Sequence, residues 1–199
     1  MTLTLLHTSP VHVARFDALR DRIAPGATLH HEVREDLLER ARAEDVTPAI
    51  AGEVARAVEG RRALCTCSTL GEAAEAAGAI RIDRPAMRVA AQGGGPVLLV
   101  YCLESTEGPS RALLAEEMRA AGNEAPIEAL FVPGAWPLFE AGDEAAFWRT
   151  IERAVRAAGP PGAVILAQAS MDGAAALLED LGRPVLATPE MALRAALAV

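Results

Sequence analysis

The chain contains no lysine; all 19 of its basic residues are arginine. That absence removes Schiff-base chemistry, pyridoxal-phosphate catalysis and a P-loop with its phosphate-gripping lysine. Aromatic residues are only 4% of the 199, which argues against an aromatic-rich β-sandwich. Positive charge is outweighed, with a formal net charge of −8, so nothing attracts a phosphate backbone and no nucleic-acid partner is expected. Long hydrophobic runs are missing too. The opening "MTLTLLHTSP" has no basic region and only a short apolar stretch, so neither a signal peptide nor a membrane span is expected, and the chain reads as cytoplasmic. Three cysteines cannot all pair with one another, and a reducing cytosol keeps them as thiols.

What is present is aliphatic. Hydrophobic residues make up 51% of the chain, mostly Ala, Leu and Val, which suits helices packed on a buried parallel sheet. Strand-like runs ("TLTLLH", "ATLHHEV", "RALCTC", "PVLLVYC", "APIEALF", "GAVILAQAS", "RPVLA") alternate with helical patterns such as "PVHVARFDALRDRI", "TPAIAGEVARAVEG" and "DEAAFWRTIERAVRAAG". The alternation predicts an α/β fold of βαβ units. The glycines of "QGGGP" mark the best boundary. They give a first lobe over 1–93, completed by the C-terminal segment 185–199, and a second lobe over 94–184. The halves share a weak plan: each opens on a strand ending in a polar turn ("LLHTSP", "LLVYCLEST") and later has a strand ending in small polar residues ("ALCTCST", "ILAQASM").

In open parallel sheets ligands bind beyond the carboxyl ends of the strands. Four turns therefore matter: His7 to Pro10, Cys65 to Leu70, Cys102 to Thr106 and Gln168 to Met171. Strand alternation puts Cys65 and Cys67 on one face. A helix starting near Thr69 would aim free N–H groups at Cys67 and lower its thiol pKa, making it a proton donor, base or nucleophile. A small buried residue is the equally simple reading of Cys67, and the simpler one of Cys65. Ser68 and Thr69 can bind a carboxylate or an enolate oxygen, in competition with ordinary helix capping. Ser105 and Thr106 can hold a carboxylate in the polar loop "ESTEGPS", which leads into a helix. All four histidines fall within the first 31 residues. Their spacing with the cysteines matches no common zinc pattern, so no metal is expected. His7 reads as a residue at a strand end facing the site, and His30 and His31 point to opposite faces.

In this order and spacing, "CSTLG", "RPAM", "ESTEGPS", "FEAGD", "VILAQASM" and "RPVLATPEMAL" make the chain resemble the aspartate/glutamate/hydantoin racemase superfamily, which includes arylmalonate decarboxylase and maleate isomerase. The resemblance covers most of the chain. It implies two similar α/β lobes, each a parallel sheet flanked by helices, with the active site in the cleft between them and no metal or cofactor. It implies also that the final strand or helix returns to the first lobe. Family racemases use two cysteines, one per lobe, on opposite faces of the substrate's α-carbon. Cys67 matches the first. The second falls at Gln168, whose amide has no useful pKa. Arylmalonate decarboxylase works with one cysteine in the second lobe, whereas this chain keeps the other.

The expectation is thus a cofactor-independent racemase- or isomerase-like enzyme, or a related decarboxylase, acting on a small carboxylate-bearing molecule. Cys67 would be its acid or base. His7, Thr8, Ser9, Ser68, Thr69, Ser105 and Thr106 would bind oxygens, and Gln168 and Ser170 would touch substrate without exchanging protons. Cys102, Glu104 or His7 would be the candidates to replace the second thiol. The alternative is a non-catalytic protein that binds a small anion in the same place. An Ala-rich surface helix leaves a homodimer open.

Overall fold

The computed structural model describes residues 2–159 and 162–198. It builds two four-stranded, all-parallel sheets with helices between successive strands. The first sheet contains β1 (Thr2–His7), β2 (Thr28–Val33), β3 (Ala63–Cys65) and β4 (Ile80–Arg81), ordered β2-β1-β3-β4. Its helices are α1 (Val11–Ile23), α2 (Glu35–Glu44), α3 (Pro48–Val58) and α4 (Gly71–Ala76). The second contains β5 (Val97–Tyr101), β6 (Ile127–Phe131), β7 (Ala163–Leu166) and β8 (Val185–Ala187), ordered β6-β5-β7-β8. Its helices are α5 (Arg84–Gln92), α6 (Glu104–Ala120), α7 (Trp136–Glu140), α8 (Glu144–Ala158) and the short α9 (Gly173–Ala176). Helix α10 (Thr188–Leu197) ends the described chain.

The two strand orders are the same, so the weak repeat of the sequence is a repeat of topology. It extends to single bonds. Thr66 N–H donates to Leu6 O at 3.0 Å, and Ala167 N–H to Val100 O at 3.0 Å. Arg34 N–H donates to His7 O at 2.8 Å, and Val132 N–H to Tyr101 O at 2.8 Å.

The elements form for local reasons. Thr47 caps α3 through the N–H of Ile50, with Pro48 in the first turn where its missing N–H costs nothing. Asp143 caps α8 through Ala146 N–H, and Gly159 closes that helix in the left-handed region at φ 58°. Both faces of the second sheet are covered. Leu98, Val100, Val164 and Leu166 pack with Phe139, Phe147, Ile151 and Val155, while Val97, Leu99 and Ile165 pack with Met87, Leu113, Leu114 and Met118. In the first sheet, Leu6 and Cys65 join Leu37, Ile50, Val54 and Leu70 in one apolar cluster.

Several expected boundaries move. The compact units are 1–85 with 189–199, and 86–188, so the division falls inside α5 and not at the glycines after it. The cause is packing: Met87, Ala90 and Ala91 are buried among residues of β5 and β7. Likewise β8 pairs with β7, leaving only the final helix to the first unit. "ESTEGPS" is not a loop, because α6 starts at Glu104 and carries Pro109 inside it. Two acidic residues in its first turn suit the helix dipole, and Pro109 forfeits only one early bond. The segment after "FVPGA" is the helix α7, and "MDGAAALLEDLG" is short helical turns instead of one helix.

Candidate active site

The first unit gathers its polar residues at the carboxyl ends of β1 and β3. These strands pair in parallel with Leu6 opposite Cys65. Alternation then sends Thr8 and Cys67 to one face and His7 and Thr66 to the other. On the first face, the Cys67 sulfur meets the hydroxyls of Thr8 and Thr69 and the backbone N–H groups of Leu70 and Thr69. Burial nevertheless dominates, since Cys67 is 7% exposed and its thiol pKa is pushed up, the four donors pulling against that shift. The expected lowering by a helix start therefore does not occur. The helix begins at Gly71 and is only six residues long, so the N–H groups facing the sulfur come from the preceding turn. Ser68 and Thr69 are buried at 5% exposure, Thr8 is buried, and Ser9 is partly exposed.

Cys65 lies fully buried beside Cys67, as the packing reading had it, and its thiol is driven up by burial. On the opposite face His7 is 0% exposed. Its Nδ1 lies 2.8 Å from Thr66 Oγ1 and its Nε2 2.8 Å from His31 Nδ1. Both ring nitrogens are engaged, so His7 supports the turn from behind and leaves no nitrogen for a ligand.

In the second unit the same register places Gln168 where Cys67 stands, because Val100 and Leu166 occupy the positions of Leu6 and Cys65. The Gln168 carboxamide accepts the Cys102 N–H at 2.6 Å, tying the ends of β5 and β7 together. Ser170 is buried, and its carbonyl accepts from Trp148 Nε1 at 2.9 Å. Thr106 is buried, Ser105 partly exposed and Glu104 exposed, all in the first turn of α6. Cys102 packs in the apolar cluster of Val100 and Phe139 with its pKa pushed up to about 12 by burial. The described residues thus form two groups: Thr8, Cys67, Ser68 and Thr69 in one unit, and Cys102, Gln168 and Ser170 in the other.

A buried ion pair was not anticipated. Arg81 and Asp83 make two bonds of 2.9 Å at 4% and 0% exposure. The guanidinium covers Gly71, where a Cβ would stand 2.7 Å from Nε. The signal was there in "RID": residues two apart in an extended chain share a face. Among the described residues, no group of three or more His, Cys, Asp or Glu side chains is placed to hold a metal ion. No described helix is long and apolar enough to cross a membrane.

Two topologically matching parallel α/β units, with polar turns at the carboxyl ends of their inner strands, make a fold that is also seen in solved racemases and a decarboxylase. Solved structures make the likeness concrete. The aspartate racemase of Picrophilus torridus matches with a TM-score of 0.70 at 14% identity, over 99% of this chain and 93% of that one. An allantoin racemase from Klebsiella pneumoniae matches with a TM-score of 0.66 at 19% identity, over 100% and 86%. An arylmalonate decarboxylase matches at 0.62 and 15% identity, over 100% and 92%. No family model matches the sequence, and no curated protein does.

Proposed function

We propose that this chain is a cofactor-independent enzyme of racemase or isomerase type, moving a proton at the carbon next to a carboxylate or carbonyl of a small acid. The observation that carries the reading is the surround of Cys67. Its sulfur sits at a strand end with two hydroxyls and two backbone N–H groups around it. Those donors are arranged for a thiolate, while burial holds the resting group as a thiol. A resting thiol is equipped to act first as an acid. It gives its proton to a carbanionic or enediolate carbon, the S–H electron pair stays on sulfur, and the thiolate left behind is held by Thr8, Thr69 and the turn amides.

The second position supports one-thiol chemistry. Gln168 exchanges no proton, and its carboxamide oxygen already accepts the Cys102 amide. Ser68, Thr69, Ser105, Thr106 and Ser170 supply hydroxyls suited to carboxylate oxygens. A second reading, a small-anion binder without turnover, draws on the burial of all three thiols.

The deciding experiment incubates the protein in D₂O with amino acids, hydantoins and 2-substituted malonates and follows the α-position by NMR beside Cys67→Ala. Deuterium incorporation or decarboxylation that disappears in the variant supports the enzyme. Washout without inversion identifies a single acid/base. Tight binding of one compound with no exchange in any supports the binder instead.

A further inference from the structure

Behind the Cys67 turn runs a row of polar groups with no place in the chemistry above. Asp17 Oδ1 lies 3.4 Å from His31 Nε2, His31 Nδ1 lies 2.8 Å from His7 Nε2, and His7 Nδ1 lies 2.8 Å from Thr66 Oγ1. Thr66 Oγ1 is also 3.1 Å from Leu6 O. The two imidazole planes are within 15° of each other, so the N–H of one can point along the lone pair of the other. The row runs from a partly exposed carboxylate, 41% exposed, to a hydroxyl that is 4% exposed.

Donors and acceptors in such a row must agree in direction, which leaves two consistent arrangements. With both rings neutral, Thr66 O–H donates to His7 Nδ1, His7 Nε2–H to His31 Nδ1, and His31 Nε2–H to Asp17. With one proton more, His7 carries it on Nδ1 and donates to Thr66, whose hydroxyl turns to Leu6 O. His31 then donates from both nitrogens, an imidazolium beside the Asp17 carboxylate. One added proton therefore reverses the His7–Thr66 bond and exchanges the tautomer of His7, with no proton unaccounted for.

That bond spans the ends of β1 and β3 between the residues that flank it on the other face, Thr8 and Cys67. We propose that Asp17, His31, His7 and Thr66 form a proton-reversible row in which His7 is a positioning residue, setting the Cys67 turn through Thr66. The proposal builds on the reading of Cys67 as the acid. The charge belongs on His31, the member of the row beside a carboxylate. From α1, His12 lies 6.1 Å from His7 between ring centroids and opposes a cation on His7, while Arg15 acts on His12. Arg20 shares Asp17 at 3.2 Å and also holds Asp21. Strand β3 brings no ionisable group to this face, and Glu32 and His30 of β2 alternate to the other.

The test uses the full chain labelled with ¹⁵N-histidine. Its long-range ¹H–¹⁵N spectra between pH 8 and 5 should show His7 passing from the Nε2–H to the Nδ1–H tautomer as the row takes up one proton. Asp17→Asn should move that transition to lower pH, and His31→Gln should abolish it. A His7 that keeps one tautomer throughout that range overturns the row. Positioning is read separately, from the rate at which iodoacetamide modifies Cys67, followed by peptide mass spectrometry. Wild type should show a step in rate at the tautomer change. His7→Asn, whose amide nitrogen replaces Nδ1 as a fixed donor, should fold and lose the step. A step that survives in His7→Asn overturns the positioning role. Neither readout needs a substrate, so an inactive protein with a reversing row rejects the enzyme reading and keeps this one.

Discussion

Acid should destabilise the first unit before its carboxylates titrate. His7 and His12 are buried, and burial first, then neighbouring cations, pushes their pKa values down to about 3 and about 4 from 6.5. For His7 the neighbours are His12 and His31; for His12 it is Arg15. The folded chain then holds fewer protons than the unfolded chain wherever pH lies between the two values, so stability falls as pH falls. The contribution is complete above pH 6.5 and is lost progressively down to about 4 for His12 and about 3 for His7. Between about pH 7.5 and pH 5.0 an unfolded histidine takes up nearly a full proton that the folded one refuses, which costs about 2 kcal/mol per residue and about 4 kcal/mol for the pair. The paired carboxylates Asp36, Glu53 and Glu190 are held below their usual range, chiefly by hydrogen bonds from arginines, and so do not confuse this window. Urea unfolding followed by far-UV circular dichroism at the two pH values measures the loss. His12→Gln should remove about half of it. Both tryptophans lie in the second unit, so their fluorescence reports whether that unit follows or stays folded. A wild-type loss below about 1 kcal/mol would refute the claim that two histidines are buried neutral.

Two packing features give further tests. Gly173→Ala places a Cβ 2.3 Å from the Trp148 ring, whose Nε1 is committed to Ser170 O, so the indole must shift. A loss of about 1–3 kcal/mol is expected, with a changed tryptophan near-UV signal; an unchanged signal would contradict the contact. Asp83→Asn leaves the Arg81 guanidinium buried beside a neutral group and should cost about 3–5 kcal/mol in urea unfolding. Glu190→Gln, which breaks the exposed pair with Arg22, should cost about 0–1 kcal/mol, and equal losses in the two variants would overturn the distinction.

Periodicity and turn chemistry carried most of the architecture because these are local signals. "TPAIAG" announces a capped helix, and strands spaced by helical runs announce parallel pairing. The face shared by Cys65 and Cys67 follows from alternation alone. What the residues did not disclose depended on groups distant in the chain. The assignment of α5 to the second unit depends on partners in β5 and β7, which outweigh the glycines beside it. The direction of the Cys67 shift is a contest between burial and local donors, and a sequence shows the donors but not the burial.

His7 teaches the same point in reverse. A histidine at the end of a parallel strand reads as a ligand-facing residue, since strand ends are where ligands bind. Which face it takes is set by register with β2, and that register brings His31, opposite Leu5, to the same side as His7. Once His31 and Thr66 occupy both nitrogens, the ring has no bond left to offer. Cys102 differs from His7: it takes the parity of Gln168 and packs with Leu98 and Val100 under Phe139 and Phe147. Strand parity thus removes one of the candidates for a missing base, His7. Glu104 is exposed in the first turn of α6. Of Cys67 and Cys102, Cys67 is the one with hydrogen-bond donors around it while Cys102 meets burial alone, and that contrast is what the proposed one-thiol proton transfer rests on.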